Sequence, residues 1–222
     1  MANVLDKVQP KNKTQLKRLI DYAFKHNIYD LNFIDTSKIT NMSNLFISCE
    51  YDIDVSNWDV SNVTNMYRIF AWCKIFNSDI SNWDVSNVKN MNNMFYCCKN
   101  FDCDLSNWNV SNVTDMYGMF TACENFKGKG IENWDVSKVT DMRYMFYNCK
   151  NFNCDLSNWD MSNALRINEM FYRCKNFEGK GLENWKLEKT LFYYDIFTGC
   201  DKVKLPSWYK AFLKRCNLEF FK

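Results

Sequence analysis

Cysteine and histidine are the residues of this 222-residue chain best suited to metal or thiol chemistry, and their spacing limits what they can do. The chain has eleven cysteines and a single histidine, His26. Zinc sites use local C-x2–4-C pairs. Seven of the cysteines instead recur singly, about 25 residues apart, at Cys49, Cys73, Cys98, Cys123, Cys149, Cys174 and Cys200. The odd total also argues against a disulfide framework. We therefore expect buried, reduced thiols that act as small hydrophobic side chains, with no bound metal and no cofactor.

Aspartate recurs at two fixed positions of a repeated phrase. The first set is Asp54, Asp79, Asp104 and Asp155. The second set is Asp59, Asp84, Asp135 and Asp160, and Asn109 takes the equivalent position between Asp84 and Asp135. Stacked carboxylates repel one another, so each needs a local partner or a cation. The D-V-S phrase favours an Asx turn, in which the carboxylate accepts a backbone N–H two residues later. A calcium ion between repeats is the alternative.

Other chemistry finds little support in the sequence. No nucleophile–base set can be assembled, because His26 stands alone and the carboxylates follow the repeat. The GKG segments at 128–130 and 179–181 lack the GxxxxGK[ST] spacing of a phosphate loop. The net charge of +2 is too small to indicate binding to nucleic acid. No apolar run in the sequence is long enough to span a membrane. We expect a protein that is not an enzyme and binds neither nucleic acid nor the membrane interior.

These residues are positioned by an internal repeat that a tryptophan marks. Seven of the eight tryptophans lie 23 to 26 residues apart, at Trp58, Trp83, Trp108, Trp134, Trp159, Trp185 and Trp208. A fixed period in the twenties indicates a solenoid. Apolar residues at offsets i, i+3, i+4 and i+7, as in 66–73, predict a short helix. The phrase at 76–83 has no helical period and predicts a strand and a turn. Each repeat is therefore predicted to be a strand, a turn and a helix.

The two ends of the chain depart from the repeat. The segment 13–26 has an amphipathic helical pattern, and 205–210 is a degenerate copy of the tryptophan phrase before a second helical pattern. Repeat arrays need such caps, because an uncapped end exposes core. We predict a single domain over 1–222, with an N-terminal capping helix within 1–29, repeats over 30–204 and a C-terminal cap over 205–222.

The phrase D-I/L-S-N-W-D-V-S-N-V-T-N/D-M-x-x-M-F-x-x-C-x-x-F is clearest at 79–101 and 104–126. It resembles the repeat of the BspA-type leucine-rich repeat family, specifically the 25-residue variant of mycoplasma lipoproteins, and the resemblance covers about 13–210. Members occur on bacterial surfaces, in protists and in giant DNA viruses, and the resemblance implies adhesion or protein binding without catalytic residues. We predict an α/β fold: a right-handed leucine-rich-repeat-like solenoid of about seven strand–turn–helix repeats, with helical caps.

A tyrosine follows either the methionine or the phenylalanine column in six successive repeats. These residues are Tyr67, Tyr96, Tyr117, Tyr147, Tyr172 and Tyr194. On the predicted helices they lie at about 100° and 140° from the methionine, on one flank. Other outer positions hold Trp72, Arg143, Tyr144 and Arg173. Since Tyr, Trp and Arg are enriched in binding hot spots, the six tyrosines are the predicted protein-binding site. The alternative is that the rings fill gaps between the helices.

The sequence thus predicts a non-catalytic interaction module that presents a repeat surface to an unidentified protein partner, such as a host protein. The alternative is a structural or self-assembling scaffold component, for example of a virus particle; the chain would be a monomer or weakly self-associating. Because the N-terminus shows no secretion signal, we expect an intracellular location, in the cytoplasm of the producing or host cell, or in a virion.

Overall fold

The computed structural model describes residues 7–191 and 193–215. Helix α1 spans Lys13–Lys25 and helix α2 spans Ser207–Arg215, and two short 3₁₀ helices lie at Ile131–Asn133 and Leu182–Asn184. Within these described ranges the chain forms isolated parallel bridges and no continuous strand. Five of them follow one another through Asn41, Asn65, Asn90, Asp115, Asp141 and Arg166. Each repeat therefore pairs with the next along a single column.

Between the two α-helices the backbone of each repeat is a series of four-residue β-turns. In one repeat the turns Val60–Val63, Met66–Ile69 and Phe70–Cys73 close with N···O distances of 2.8, 3.1 and 3.0 Å. The first and fourth residues of these turns are apolar and buried. The turns thus point both of their ends into the core, whereas middle residues such as Tyr67, Arg68 and Trp72 lie at the surface and the small Ala71 is buried.

Backbone hydrogen bonds join each repeat to its neighbour across the tandem turns. The N–H groups of Met66, Arg68, Phe70 and Trp72 donate to carbonyls of the following repeat at 2.6–3.0 Å. The N–H groups of the residues between them close turns within their own repeat. Donors therefore alternate between the neighbour and the turn, so the buried backbone is satisfied without a helix or a sheet.

The predicted strand–turn–helix repeat is wrong. The segment predicted to be a helix, 66–73, forms two tandem turns, and 76–83, predicted to be a strand and a turn, contains a turn but no strand. Consecutive four-residue turns with inward first and fourth residues place apolar side chains at i, i+3, i+4 and i+7, which are the offsets of a helical face. The third residue of each tandem turn in 66–73 is left-handed, namely Arg68 (φ 52°) and Trp72 (φ 67°), which an α-helix does not allow. An α/β leucine-rich-repeat-like solenoid of seven such units therefore does not describe this protein.

Aromatic columns fill the interior of the stack. The Phe95 ring lies 5.7 Å from that of Phe70 and 5.6 Å from that of Phe120, with near-parallel planes. The indole N–H of each of the seven repeat tryptophans reaches back to a carbonyl of the preceding coil, as from Trp83 to Val55 at 3.1 Å. The large side chains therefore connect the repeats by both ring packing and hydrogen bonding.

The two α-helices lie within the terminal segments where caps were predicted. At the start of α1 the Asn12 side chain accepts the Gln15 N–H at 3.0 Å, and Leu16 and Ile20 are fully buried. In α2 the Tyr209 ring meets the Phe197 ring edge-on at 5.0 Å. Residues 1–6 and 216–222 of the predicted caps lie outside the described residues. No helix in the described part of the chain is long and apolar enough to cross a membrane.

Gly118→Ala distinguishes tandem turns from the predicted helix by the sign of its effect. Gly118 has φ +58°, and a Cβ there would overlap Asn93 Oδ1. We expect a loss of about 1–2 kcal/mol in the free energy of unfolding, measured by urea denaturation. In an exposed helix the same change would stabilise the protein by about 1 kcal/mol.

Ala122→Gly is the matched control for that measurement. Ala122 occupies the equivalent position of the next turn, with φ 57°. Relief of the left-handed strain is offset by the greater freedom of glycine in the unfolded chain, so we expect little net change. A stabilising effect of Gly118→Ala would contradict the turn structure.

Candidate functional site

The cysteine column makes hydrogen bonds that the sequence analysis did not anticipate. Cys98 Sγ lies 2.9 Å from the Phe70 carbonyl oxygen of the preceding repeat, and Cys123 Sγ lies 3.0 Å from that of Phe95. Ten cysteines in the described part of the chain are free thiols. Burial raises the pKa of Cys73 to about 12. The column thiols from Cys73 to Cys200 pair with backbone carbonyls of the preceding repeat, and burial makes thiols of this kind weak nucleophiles.

The aspartate columns form the predicted Asx turns. The Ser81 N–H donates to Asp79 Oδ1 at 3.0 Å, and the Ser86 N–H donates to Asp84 Oδ1 at 3.0 Å. Hydrogen bonding by these serines lowers the pKa of both aspartates. Across 7–191 and 193–215, no three His, Cys, Asp or Glu side chains group as metal ligands. The carboxylates therefore have local backbone partners that hold the turns.

The predicted tyrosine site is carried by turns and not by a helical flank. Tyr67 and Tyr117 are second residues of the first tandem turn, whereas Tyr96, Tyr147 and Tyr172 are second residues of the second turn. The equivalent first-turn position in the last repeat is Tyr194, which is 49% exposed. The other five rings are half-buried. The six tyrosines thus follow two adjacent columns on the outer side of the stack.

Contacts divide these tyrosines into separate groups. The rings of Tyr147 and Tyr172 stack at 4.8 Å with planes 4° apart. Tyr144, a third residue of its turn, lies 5.5 Å from Tyr117 and 5.9 Å from Tyr147. By contrast, Tyr96 packs on Trp72, at 5.2 Å. The structure therefore brings four tyrosines together, one of them outside the predicted set, and leaves Tyr67, Tyr96 and Tyr194 outside this group.

Two arginines complete the group of four rings. The guanidinium of Arg143 lies 5.1 Å from the Tyr117 ring centre, and that of Arg173 lies 5.2 Å from the Tyr172 ring centre. Asp141 holds Arg143 through two contacts, with Nε at 2.9 Å from Oδ1 and Nη2 at 2.6 Å from Oδ2. We refer to this surface as the tyrosine–arginine cluster. Its members are Tyr117, Arg143, Tyr144, Tyr147, Tyr172 and Arg173.

The hydroxyl of Tyr144 remains a hydrogen-bond donor over the physiological pH range. Burial, together with the neighbouring carboxylate of Glu169, raises the pKa of Tyr144 to about 12. The cluster thus offers aromatic faces, a protonated hydroxyl and fixed positive charge in one place. These groups suit recognition, and they include neither a nucleophile nor a general base.

The repeat places the chain in a known family. A family model described as "Mycoplasma protein of unknown function, DUF285" matches residues 14–129 and again 98–208, which together cover most of the chain. The protein belongs to this family, and the mycoplasma-type repeat inferred from the sequence is confirmed at that level. No curated protein matches the chain.

The buried thiols predict a specific dependence of stability on pH. An unfolded Cys73 thiol ionises near its ordinary pKa of 9.0, whereas the folded thiol keeps its proton to about 12. The folded state then binds a proton that the unfolded state has released, so the stabilisation present below pH 9 is lost as pH rises towards 12.

Thermal and urea unfolding of the wild type and Cys73→Ala between pH 8 and 11 test this prediction. Cys73→Ala destabilises the protein at pH 8, and we expect its deficit to shrink by about 2 kcal/mol by pH 11. Val63→Ala, a truncation at a buried apolar site of the same repeat, should show a deficit that does not change with pH. Parallel curves for the wild type and Cys73→Ala would contradict the thiol assignment.

Proposed function

We propose that this protein is a non-catalytic interaction module that binds a protein partner through the tyrosine–arginine cluster. The observation that carries the proposal is the position of the rings. They stand at the outward corners of the turns, above a core that Met145 and Phe146 already close beneath them. Large, partly exposed aromatic and arginine side chains in one continuous group are typical of binding hot spots.

Comparison between repeats favours recognition over packing as the reason for these tyrosines. The first-turn corner that holds Tyr67 and Tyr117 holds Ser43 and Asn92 in other repeats, with the same hydrogen bonds between repeats. The second-turn corner that holds Tyr147 and Tyr172 holds Ala71 and Thr121 in other repeats. Since the stack closes with small residues at both corners, its stability does not require an aromatic ring there.

The cluster is also held in one arrangement before any partner arrives. Ring stacking between Tyr147 and Tyr172 and the paired contact of Arg143 with Asp141 restrict the side chains. Preorganised rings with few rotatable bonds lose little entropy on binding. Arg173 is exposed at the edge of the cluster and is suited to a carboxylate on the partner. A partner surface with apolar contact area and an acidic edge fits these groups best.

The chemically active residues support a role without catalysis. The thiols of the cysteine column donate to carbonyls, the aspartates cap turns, and His26 lies at the end of α1 beside the Tyr22 ring at 4.3 Å. The unpaired thiols also favour a reducing compartment, in keeping with an intracellular location. The resemblance to BspA-type repeats, which implies adhesion or protein binding, supports the same function.

Affinity capture with mass spectrometry from a lysate of the native or host cell tests the proposal. The wild type is compared with Tyr147→Ser/Tyr172→Ser, which removes the stacked pair. Tyr22→Ser/Tyr51→Ser is the matched control, because it removes two exposed tyrosines outside the cluster. Circular dichroism and urea denaturation first confirm that both variants fold.

We expect the wild type and the control to capture a protein that the cluster variant does not capture. Loss of the same partner by Arg173→Glu, which reverses the charge at this position, would indicate that Arg173 contacts an acidic edge of the partner. Equal capture by all three proteins would exclude the cluster as the binding surface and would favour ring packing as its role.

A further inference from the structure

The hydrogen-bonding pattern of the stack leaves complementary groups at its two ends. Inside the stack, the carbonyls of Tyr67, Ile69 and Ala71 accept N–H groups from the preceding repeat. The equivalent carbonyls in the first repeat belong to Ser43, Leu45 and Ile47. No backbone donor in the described part of the chain reaches them. This row of acceptors forms what we call the acceptor edge.

The last repeat has the opposite unpaired groups. The N–H groups of Glu169, Phe171 and Arg173 donate to the carbonyls of 194, 196 and 198 at 2.8–3.2 Å. The equivalent donors of the last repeat are the N–H groups of Asp195, Phe197 and Gly199, which find no backbone acceptor among residues 7–191 and 193–215. We call this row the donor edge. The donors of this edge and the carbonyls of the acceptor edge occupy the same positions that pair between any two adjacent repeats.

The helices cover the core at each end and leave these edges accessible. Helix α2 packs its Tyr209 on the Phe197 ring, but Asp195, Thr198 and Gly199 remain exposed. At the other end, a groove of about 320 Å³ runs along Asn44–Tyr51 and is bordered by Lys17 and Phe24 of α1. Ile47, at the rim of the groove, is 44% exposed. Unpaired backbone edges of this kind are templates for pairing with another chain.

We propose that the donor edge of one molecule pairs with the acceptor edge of a second copy, so that the repeats continue from one molecule into the next. Asp195, Phe197 and Gly199 would donate to the carbonyls of Ser43, Leu45 and Ile47 of the second copy. A copy of this chain supplies a matching row in the same register, at the spacing of about 4.8 Å between adjacent backbones.

The chemistry of the edges indicates the strength and form of the association. The interface relies on a few backbone hydrogen bonds, because α1 and α2 keep the end rings from stacking directly. Such bonds have a modest net effect in water, so the pairing is weak and depends on concentration. Donor-to-acceptor pairing is head to tail, which gives open chains or closed rings, and not a symmetric dimer. It leaves the tyrosine–arginine cluster exposed and is independent of the proposed partner binding.

Cysteine cross-linking tests the register directly. In-register pairing places Ile47 beside Thr198 of the other copy, within the Cα distance that a disulfide needs. Inside one molecule these positions are separated by six repeat steps, roughly 30 Å at about 4.8 Å each. Ile47→Cys and Thr198→Cys are prepared as separate full-length proteins, mixed in equal amounts and oxidised with copper phenanthroline.

We expect cross-linked dimers in the mixture and only background from either variant alone, which also accounts for the native cysteines. Thr198→Cys mixed with Ser61→Cys, away from the acceptor edge, is the off-register control. Dimers from Ile47→Cys alone would overturn the head-to-tail arrangement, and equal yields from both mixtures would overturn the register.

Sedimentation velocity supplies a test without cross-linking. We expect the sedimentation coefficient of the wild type to rise with concentration and this rise to be lost in Ile47→Lys, because an edge lysine opposes pairing. Ile75→Lys is the matched control, since Ile75 is 42% exposed and lies in the second repeat, away from both edges. A strict monomer at millimolar concentration, or an equal rise in both variants, would overturn the proposal. Equal partner capture by the wild type and the cluster variant, together with intact self-association, would reject the proposed function and leave this inference standing.

Discussion

The structure depends on a backbone hydrogen-bond pattern that alternates between a repeat and its neighbour. Along 66–73, one N–H closes a turn and the next donates to the following repeat. This alternation requires a left-handed residue in each turn, at a cost of about 1–2 kcal/mol where that residue is not glycine. The chain accepts that cost at Arg68, Trp72 and Tyr144, among others. It does so because an unpaired backbone group inside the stack would be at least as costly.

The side-chain columns follow from this backbone. Since each turn begins and ends on an inward residue, phenylalanine and methionine alternate with turn corners, and their rings stack from one repeat to the next. Carbonyls that the turns leave with spare acceptor capacity receive the cysteine thiols and tryptophan indoles of the following repeat. The residues that first suggested chemistry are therefore part of the stacking, which is why they occur once per repeat.

The same geometry separates stability from recognition. The two corner residues of each tandem turn contribute their backbone to the stack, while most of their side chains lie at the surface and vary from Ser43 to Tyr117 or Arg143 at one position. The tyrosine–arginine cluster is a run of such corners in which adjacent repeats carry large side chains. At the two ends of the stack, the backbone groups of the donor edge and the acceptor edge have no neighbouring repeat in the described part of the chain to pair with. A lateral surface for a different protein and end surfaces for the same protein can therefore coexist.

The sequence by itself determined the repeat period, the buried columns, the Asx turns and membership of a mycoplasma-type repeat family, since these depend on composition and spacing along the chain. It did not determine the backbone of the repeat. Offsets of i, i+3, i+4 and i+7 at Met66–Cys73 fit a helix and a pair of tandem turns equally well. The choice lies with hydrogen bonds to residues about 24 positions away, such as Arg68 to Asn92. The candidate site could likewise be predicted only in part, since the tyrosine columns were visible in the sequence. Only the stacking of repeats joined Tyr144 to Tyr117 and placed Arg143 over the Tyr117 ring, because these contacts link residues that lie in different repeats.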